Sequence, residues 1–120
     1  GVRVVCNYLD DIYKVEGSLL RQDDIKLLKR KDYIKNPKES GYRSLHLVVE
    51  VPIFLSDRTY HMPVEIQIRT VAMDTWASLE HELKYKRTEE MPEHVAQELK
   101  DCARMMADLD DTMQNIHKMF

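Results

Sequence analysis

The sequence SLHLVVEV at residues 44–51, followed by YHMPVEIQIR at residues 60–69, determines the fold class. Apolar and polar residues alternate in both stretches, which is typical of strands with one face against a core and the other in solvent. The connection from Pro52 to Arg58 is short enough for an antiparallel hairpin. Such a hairpin would bring four polar side chains together above one face of a sheet: His46, Glu65, Gln67 and Arg69.

Shorter patterns precede this hairpin. The sequence VRVVC at residues 2–6 predicts a short buried strand, and apolar residues at helical spacing predict an amphipathic helix over residues 9–22. Ile25 and Leu27 indicate another short strand. Pro63 fits best on an edge strand or at a bulge, because proline cannot donate a ladder hydrogen bond.

Two helices are predicted after the hairpin. Thr70 can cap a helix that runs to about Lys86, and its buried face would carry Trp76, Leu79 and Leu83. A last helix begins near Pro92. Apolar residues recur along it at alternating intervals of four and three, a heptad seam that could pack within the domain or against another subunit. The seam comprises Val95, Leu99, Cys102, Met106, Leu109, Met113, Ile116 and Phe120.

Composition favours one soluble globular domain of 120 residues. No apolar run approaches the roughly 20 residues that cross a bilayer, and no secretory signal opens the chain. Cys6 and Cys102 lie in an apparent strand and an apparent helix seam, which favours buried free thiols in a cytoplasmic protein. Neither these cysteines nor the five histidines show the spacing of a zinc site.

Charge is distributed unevenly along this acidic chain, whose net charge is −3. Residues 26–43 hold seven lysine and arginine residues against two acidic residues, a local net charge of +5. A basic segment of this kind suggests a polyanionic ligand such as nucleotide phosphates or nucleic acid. A solvated basic surface would explain the segment equally well if it stood alone.

The sequence KDYIKNPKESGYRSLH at residues 31–46 adds chemistry to this charge. Lysine and arginine suit phosphate, glycine permits close backbone approach, and an aromatic ring can stack on a nucleobase. Taken separately, Tyr42 could be a half-buried strand residue and His46 a sheet histidine with ordinary hydrogen bonds. Together these residues predict a nucleotide site.

The chain resembles the synthetase domain of the RelA/SpoT family, the GTP pyrophosphokinases. The resemblance rests on GYRSLH at 41–46, KDYIKNPK at 31–38, EIQIRT at 65–70 and AMDTWASLEHELKYK at 72–86. It implies transfer of pyrophosphate from ATP to the 3′-hydroxyl of GDP or GTP, which makes the alarmones ppGpp and pppGpp. It also implies an α/β fold of the α+β type: a nucleotidyltransferase-like mixed sheet with an antiparallel hairpin, flanking helices and a long C-terminal helix.

The resemblance also implies residue roles. Tyr42 would stack on the acceptor guanine, while Glu65 would hold Mg²⁺ and help activate the attacking hydroxyl. The remaining expected substrate-binding residues are Lys31, Lys38, Ser40, Arg43, His46, Gln67 and Arg69. Related sequences often have asparagine in place of Ser40, so one acceptor contact could be weaker or pass to water.

The resemblance begins part-way through the family's pattern. A second metal-binding aspartate and the strand that grips ATP would lie ahead of Gly1, so we expect a truncated core over residues 1–87 and a packing or oligomerisation helix over 88–120. We also expect a small single-domain synthetase, inactive as this piece alone because Mg²⁺ is poorly held by one carboxylate. The alternatives are a non-catalytic RNA-binding module and an oligomerisation or regulatory module.

Overall fold

The computed structural model describes residues 1–86 and 90–120, which form one four-stranded sheet and three helices. The strands lie in the order β1-β4-β3-β2; β1 is parallel to β4, and the other pairs are antiparallel. The predicted hairpin, mixed sheet and long last helix are therefore confirmed. The elements are β1 (Val2–Cys6), α1 (Leu9–Leu20), β2 (Lys26–Asp32), β3 (Leu45–Phe54), β4 (Thr59–Thr70), α2 (Val71–Tyr85) and α3 (Glu93–Lys118).

The main core lies between α1 and one face of the sheet. Apolar residues of β3 and β4 alternate toward this face, as the sequence predicts, and Ile12 of α1 is fully buried against them. Each such aliphatic side chain contributes about 1.5–3 kcal/mol by leaving water. The buried residues of this cluster are Ile12, Leu45, Leu47, Val49, Ile66, Ile68 and Met73.

Residues 2–6 form the predicted strand, but the prediction that this strand is buried is wrong. β1 lies at the edge of the sheet, and Val2 and Val5 are 51% and 45% exposed. Val4 and Cys6 are partly buried against the core. An apolar run cannot distinguish an edge strand from a central one, because each residue's exposure depends on which strands lie beside it.

The position of Pro63 in β4 follows from the length of β1. β4 is an interior strand, but its pairing with β1 begins at Ile66, opposite Val2. At Pro63 the strand pairs with Glu50 of β3 on its other side. The proline therefore lies where β4 is locally an edge, as proline chemistry requires.

α2 begins at the predicted cap, because the Thr70 hydroxyl accepts a hydrogen bond from the Met73 amide at 3.1 Å. Trp76 is buried, and its indole N–H donates to the Leu99 carbonyl of α3 at 2.8 Å. Leu79, however, is 39% exposed, so its predicted burial is wrong. α3 packs on the side of α2 that carries Trp76, which leaves Leu79 at the rim of the contact.

The heptad seam of α3 is an internal contact only along part of its length. Leu99 is buried against α2, but Leu109, Ile116 and Phe120 are 47%, 50% and 101% exposed. The buried residues of the helix are Leu99, Ala103, Asp110 and Gln114. A straight helix has 3.6 residues per turn, so a seam of period 3.5 drifts off the face that meets the sheet end.

α3 also presses directly on the loop ahead of β3. Gly41 has a φ of 103°, and a Cβ added there would lie 2.8 Å from the Cβ of Ala103. Both the left-handed backbone and the lack of space require glycine.

Replacing Gly41 with alanine should therefore lower the free energy of unfolding by about 1–3 kcal/mol, the usual cost of a strained backbone conformation. Gly17→Ala is the matched control. Its Cβ would meet only the Arg21 guanidinium at 3.6 Å, within a helix where alanine is favoured. Denaturant unfolding of both variants checks this, and equal changes in the two would contradict it.

Candidate functional site

A row of polar residues crosses the sheet on the face opposite α1. His46 of β3 pairs with Gln67 of β4 on one side and with Lys31 of β2 on the other, and Gln67 pairs with Arg3 of β1. Paired residues of adjacent strands share a face. Glu65 lies two residues from Gln67 on β4 and therefore shares that face. The predicted convergence above one sheet face is confirmed.

Arg69 is the buried end of a hydrogen-bonded relay along β4. Its guanidinium, in a residue only 4% exposed, donates to the Gln67 side-chain carbonyl. The Gln67 amide in turn lies 3.5 Å from a Glu65 oxygen, a weak contact. Asp74 of α2 lies 3.6 Å from Arg69 and 3.2 Å from Arg3. The relay leads from the buried Arg69 to Glu65, which is exposed.

Aromatic rings and cations surround the start of β3. The Tyr42 hydroxyl and the His46 Nε2 are 2.8 Å apart, and the Tyr33 ring packs edge-on against both rings. The Lys38 ammonium lies 4.9 Å from the Tyr33 centroid and 5.1 Å from the Tyr42 centroid, while the Arg69 guanidinium lies 5.8 Å from Tyr42. The Tyr42 ring thus lies close to two positive charges, an environment suited to an anionic aromatic ligand.

Local hydrogen bonds shape the loop that carries Tyr42. The Lys38 amide donates to the Tyr42 carbonyl at 3.0 Å, and the Gly41 amide donates to the Lys38 carbonyl at 2.9 Å. The Ser40 hydroxyl accepts from the Tyr42 amide at 3.4 Å, so this predicted binding residue stabilises its own turn. Lys31 is exposed at the rim, opposite His46.

Arg43 lies apart from this cluster. Its side chain is 13% exposed, and its Nη1 lies 3.9 Å from an Asp110 oxygen of α3. It lines a small space together with Met73, Trp76 and Ala103. The structure therefore brings together the predicted residues Lys31, Lys38, Tyr42, His46, Glu65, Gln67 and Arg69, but not Arg43.

An open cleft of about 700 Å³ lies beside Tyr42, within the range of small-molecule sites. Tyr42, Arg69 and Arg3 form the sheet side of this cleft, and α2 forms the other side. The residues of α2 that line this cleft were not among those predicted from the sequence. Their spacing of three and four was a usable signal, but it also describes an ordinary solvated helix face. They are Ala77, Ser78, Glu80, His81, Lys84 and Tyr85.

A second open cleft, of about 300 Å³, adjoins Glu65, Gln67 and Arg3. Within residues 1–86 and 90–120, no group of three or more histidine, cysteine or acidic side chains could hold a metal ion. Glu65 can supply one oxygen ligand. Mg²⁺ is usually held by one or two carboxylates together with substrate phosphates. The described residues thus fit Mg²⁺ as part of a site that nucleotide phosphates would complete.

In the described part of the chain, no helix is long and apolar enough to cross a membrane. Cys6 and Cys102 are free thiols, as predicted, but they are half-buried instead of buried.

Comparison with known proteins gives the family. Residues 1–90 match the family model for the region found in RelA/SpoT proteins. The chain belongs to the RelA/SpoT family. The resemblance inferred from the motifs at residues 31–46 and 65–86 is therefore confirmed.

The relatives of this RelA/SpoT chain include pyrophosphokinases and small alarmone synthetases. The GTP pyrophosphokinase YwaC of Bacillus subtilis is 47% identical over 118 residues, which are 98% of this chain and 56% of YwaC. The chain therefore spans about half the length of this curated relative.

Two crystal structures from Bacillus subtilis show the same fold. Small alarmone synthetase 2 superimposes with a TM-score of 0.95 at 45% identity, over 98% of this chain and 64% of that one. Small alarmone synthetase 1, bound to its product pppGpp, gives 0.91 at 41% identity, over 98% and 60%. The expected nucleotidyltransferase-like fold class is confirmed.

The pKa of His46 reports on this site. Burial lowers it below the ordinary value of 6.5; the Glu65 carboxylate raises it, and the charges of Lys38 and Arg69 lower it. Because the folded state favours the neutral ring, the unfolded chain binds a proton more readily near pH 6.5. The resulting stability is present above pH 6.5 and is lost as the pH falls through the folded value.

Removing the charge of Lys38 and removing the charge of Glu65 should move the pKa of His46 in opposite directions. Lys38→Gln should raise the pKa of His46, because a nearby positive charge is lost, and Glu65→Gln should lower it. NMR titration of the imidazole measures both shifts. A wild-type pKa above 6.5, or shifts of the same sign in the two variants, would contradict the site geometry.

Proposed function

We propose that the protein containing this chain is a GTP pyrophosphokinase, which transfers pyrophosphate from ATP to the 3′-hydroxyl of GDP or GTP. The observation that carries this proposal is the Tyr42 ring, which borders the larger cleft and lies close to the cations of Lys38 and Arg69. Glu65 lies on the same sheet face. The pyrophosphokinase relative and the neighbour bound to pppGpp support the same reaction.

In this proposal the acceptor guanine stacks on Tyr42. The Tyr42 hydroxyl and the His46 Nε2 share a hydrogen bond of 2.8 Å that fixes the ring plane, and burial lowers the pKa of His46. Lys38 and Lys31 attract the acceptor phosphates, since each presents an ammonium at the rim of the sheet face. Arg69 holds Gln67 in place by their hydrogen bond, and this in turn restricts Glu65.

Glu65 is the proposed catalytic and metal-binding residue. Its carboxylate is exposed at the end of the relay from Arg69, beside the smaller cleft. There it can accept the proton of the 3′-hydroxyl as general base. Glu65 and the nucleotide phosphates would hold Mg²⁺, which would supply neutralisation of the charge that develops on the transferred group. Because ATP and guanine nucleotides are found in the cytoplasm, we propose that this protein is cytoplasmic.

Replacing Glu65 with glutamine in the full-length protein should lower the rate of (p)ppGpp synthesis by about a hundredfold or more, a usual contribution of a general base. Affinity for GDP should change little, because the Tyr42 cluster is intact. Glu50→Gln is the matched control, since Glu50 lies on β3 and pairs with His61 at 3.6 Å. Product chromatography and calorimetric GDP titration give the two readouts. A fully active Glu65→Gln variant would refute the assignment.

The same assay distinguishes the whole protein from this piece. With ATP, GTP and Mg²⁺, we expect product from the full-length protein and none from the 120-residue chain. Glu65 is the one carboxylate proposed here for the metal, which is the lower limit of the one or two carboxylates that usually hold Mg²⁺, so we expect the metal to be held too weakly for synthesis. No product from the full-length protein would refute the proposed function. Product from the 120-residue chain would show that one carboxylate suffices.

We also propose that the exposed part of the α3 seam is a contact with a second copy. Leu109 and Met113 line an apolar groove of about 470 Å³ with Val71 and Tyr8. Ile116 continues this stripe one turn further. Apolar side chains in a continuous stripe are typical of helices that associate.

Replacing Leu109 with glutamate should lower the molar mass in solution if this stripe joins two copies. The variant should keep most of its stability, because Leu109 is already 47% exposed. Asn115→Glu adds the same charge to the same helix at an exposed position off the stripe. Light scattering of both variants is the measurement. An unchanged mass for Leu109→Glu would refute the interface.

A further inference from the structure

Asp110 of α3 is unusual because it is a carboxylate that is fully buried where the helix packs on the rest of the domain. It is 0% exposed, and its Oδ2 accepts a hydrogen bond from the Thr70 hydroxyl at 2.7 Å. Burial raises the pKa of this group, against the lowering effect of the Thr70 bond and of Arg43. Desolvating a carboxylate is costly unless its partners compensate. An apolar side chain at this position would avoid that cost. The buried carboxylate therefore calls for a role that an apolar side chain could not fill.

One partner of Asp110 ends the strand that carries the proposed catalytic face. Thr70 directly follows Arg69, and its hydroxyl also accepts the Met73 amide that starts α2. The hydroxyl has one proton, which it gives to Asp110. Asp110 thus fixes the Thr70 rotamer at the junction of β4 and α2, next to the guanidinium of Arg69.

The other partner of Asp110 follows Tyr42. Arg43 Nη1 lies 3.9 Å from Asp110 Oδ2, in the space between the loop, α2 and α3. Within the described residues, Arg43 Nη1 and Asp110 Oδ1 have no hydrogen-bond partner. The two opposite charges therefore compensate each other mainly through the electrostatic attraction of a poorly solvated pair.

α3 supports the same loop by packing. Ala103 lies directly under Gly41, and the Leu99 carbonyl accepts the indole N–H of Trp76. The Trp76 ring lies 6.4 Å from the Tyr42 ring. Packing alone limits how close the loop approaches, whereas the Asp110 carboxylate attracts Arg43 and prevents the loop from moving away.

We propose that Asp110 and Arg43 are positioning residues that set the distance between Tyr42 and Arg69, and thereby the fit of the guanine nucleotide. Asp110 contacts the residue after Tyr42 and the residue after Arg69, so one carboxylate joins both sides of the proposed acceptor site. Arg43 then acts through Asp110 instead of touching substrate. The identity of the ligand rests on the proposed function; the link between the two sides does not.

The test compares Asp110→Asn with Asp108→Asn, an exposed position of the same helix, in the full-length protein. Asparagine keeps the shape and the acceptor for Thr70 but removes the charge facing Arg43. Because small displacements of a binding group cost large factors, the KM for GDP should rise about tenfold and the KM for ATP should change less than about twofold. Asp108→Asn should match wild type.

Arg43 gives a second and independent pair of variants. Arg43→Met removes the cation and should reproduce the rise in the KM for GDP, whereas Arg43→Lys keeps a cation near Asp110 and should recover part of it. All assays are run well below the melting temperature of each variant, so that only folded protein is compared. A direct substrate contact predicts instead that Arg43→Met weakens GDP binding while Asp110→Asn leaves it intact.

Hydrogen exchange tests the link without any nucleotide. In Asp110→Asn the amides of Lys38 and Gly41, which are bonded within the loop, should exchange faster, while those at the centre of the β3–β4 ladder should not change. Equal KM changes for ATP and GDP, or lower stability with an unchanged KM for GDP, would refute positioning. A wild-type protein without synthesis would refute the proposed function alone, because the exchange result stands apart from it.

Discussion

The antiparallel pairing of β3 with β4 is the constraint on which the rest of the structure depends. His46 lies opposite Gln67, and Leu47 lies opposite Ile66. A slip of one residue would turn the polar set into the core and expose the aliphatic set. The same register therefore stabilises the α1 side of the sheet and assembles the polar row on the other side, so core and site cannot change independently.

Along β4, the charged residues of the open face range from a buried arginine at the end that joins α2 to an exposed glutamate further from that end. Arg69 is almost fully buried: its guanidinium donates to Gln67, lies 3.6 Å from Asp74 and lies 5.8 Å from the centroid of the Tyr42 ring. Glu65, at the other end of the relay, is exposed. A buried arginine with several partners is a fixed positive charge, because its guanidinium stays protonated and its planar fork is held by more than one contact. A fixed cation and an exposed carboxylate on one sheet face are groups that can act on nucleotide phosphates and their metal.

Much of this could be predicted because it depends on local periodicity. The convergence of His46, Glu65, Gln67 and Arg69 followed from alternation in two strands joined by a short connection, and the α2 cap followed from the chemistry of threonine. The exposure of Val5 in β1 and of Leu79 in α2 could not be predicted. An apolar residue in a strand or helix has the same sequence signature whether or not a neighbour covers it.

The sequence by itself determined which side chains share a face of each strand, since the two-residue period of a strand is a property of the backbone. It also determined the family, through motifs that are contiguous in the chain. Only the tertiary structure decided that α2 forms a wall of the larger cleft and that Arg43 faces Asp110. It also decided that α3 buries Asp110 and Gln114, which lie outside the heptad seam. The physical reason is that these contacts join residues far apart in the chain, and the angle at which the helices dock on the sheet sets them.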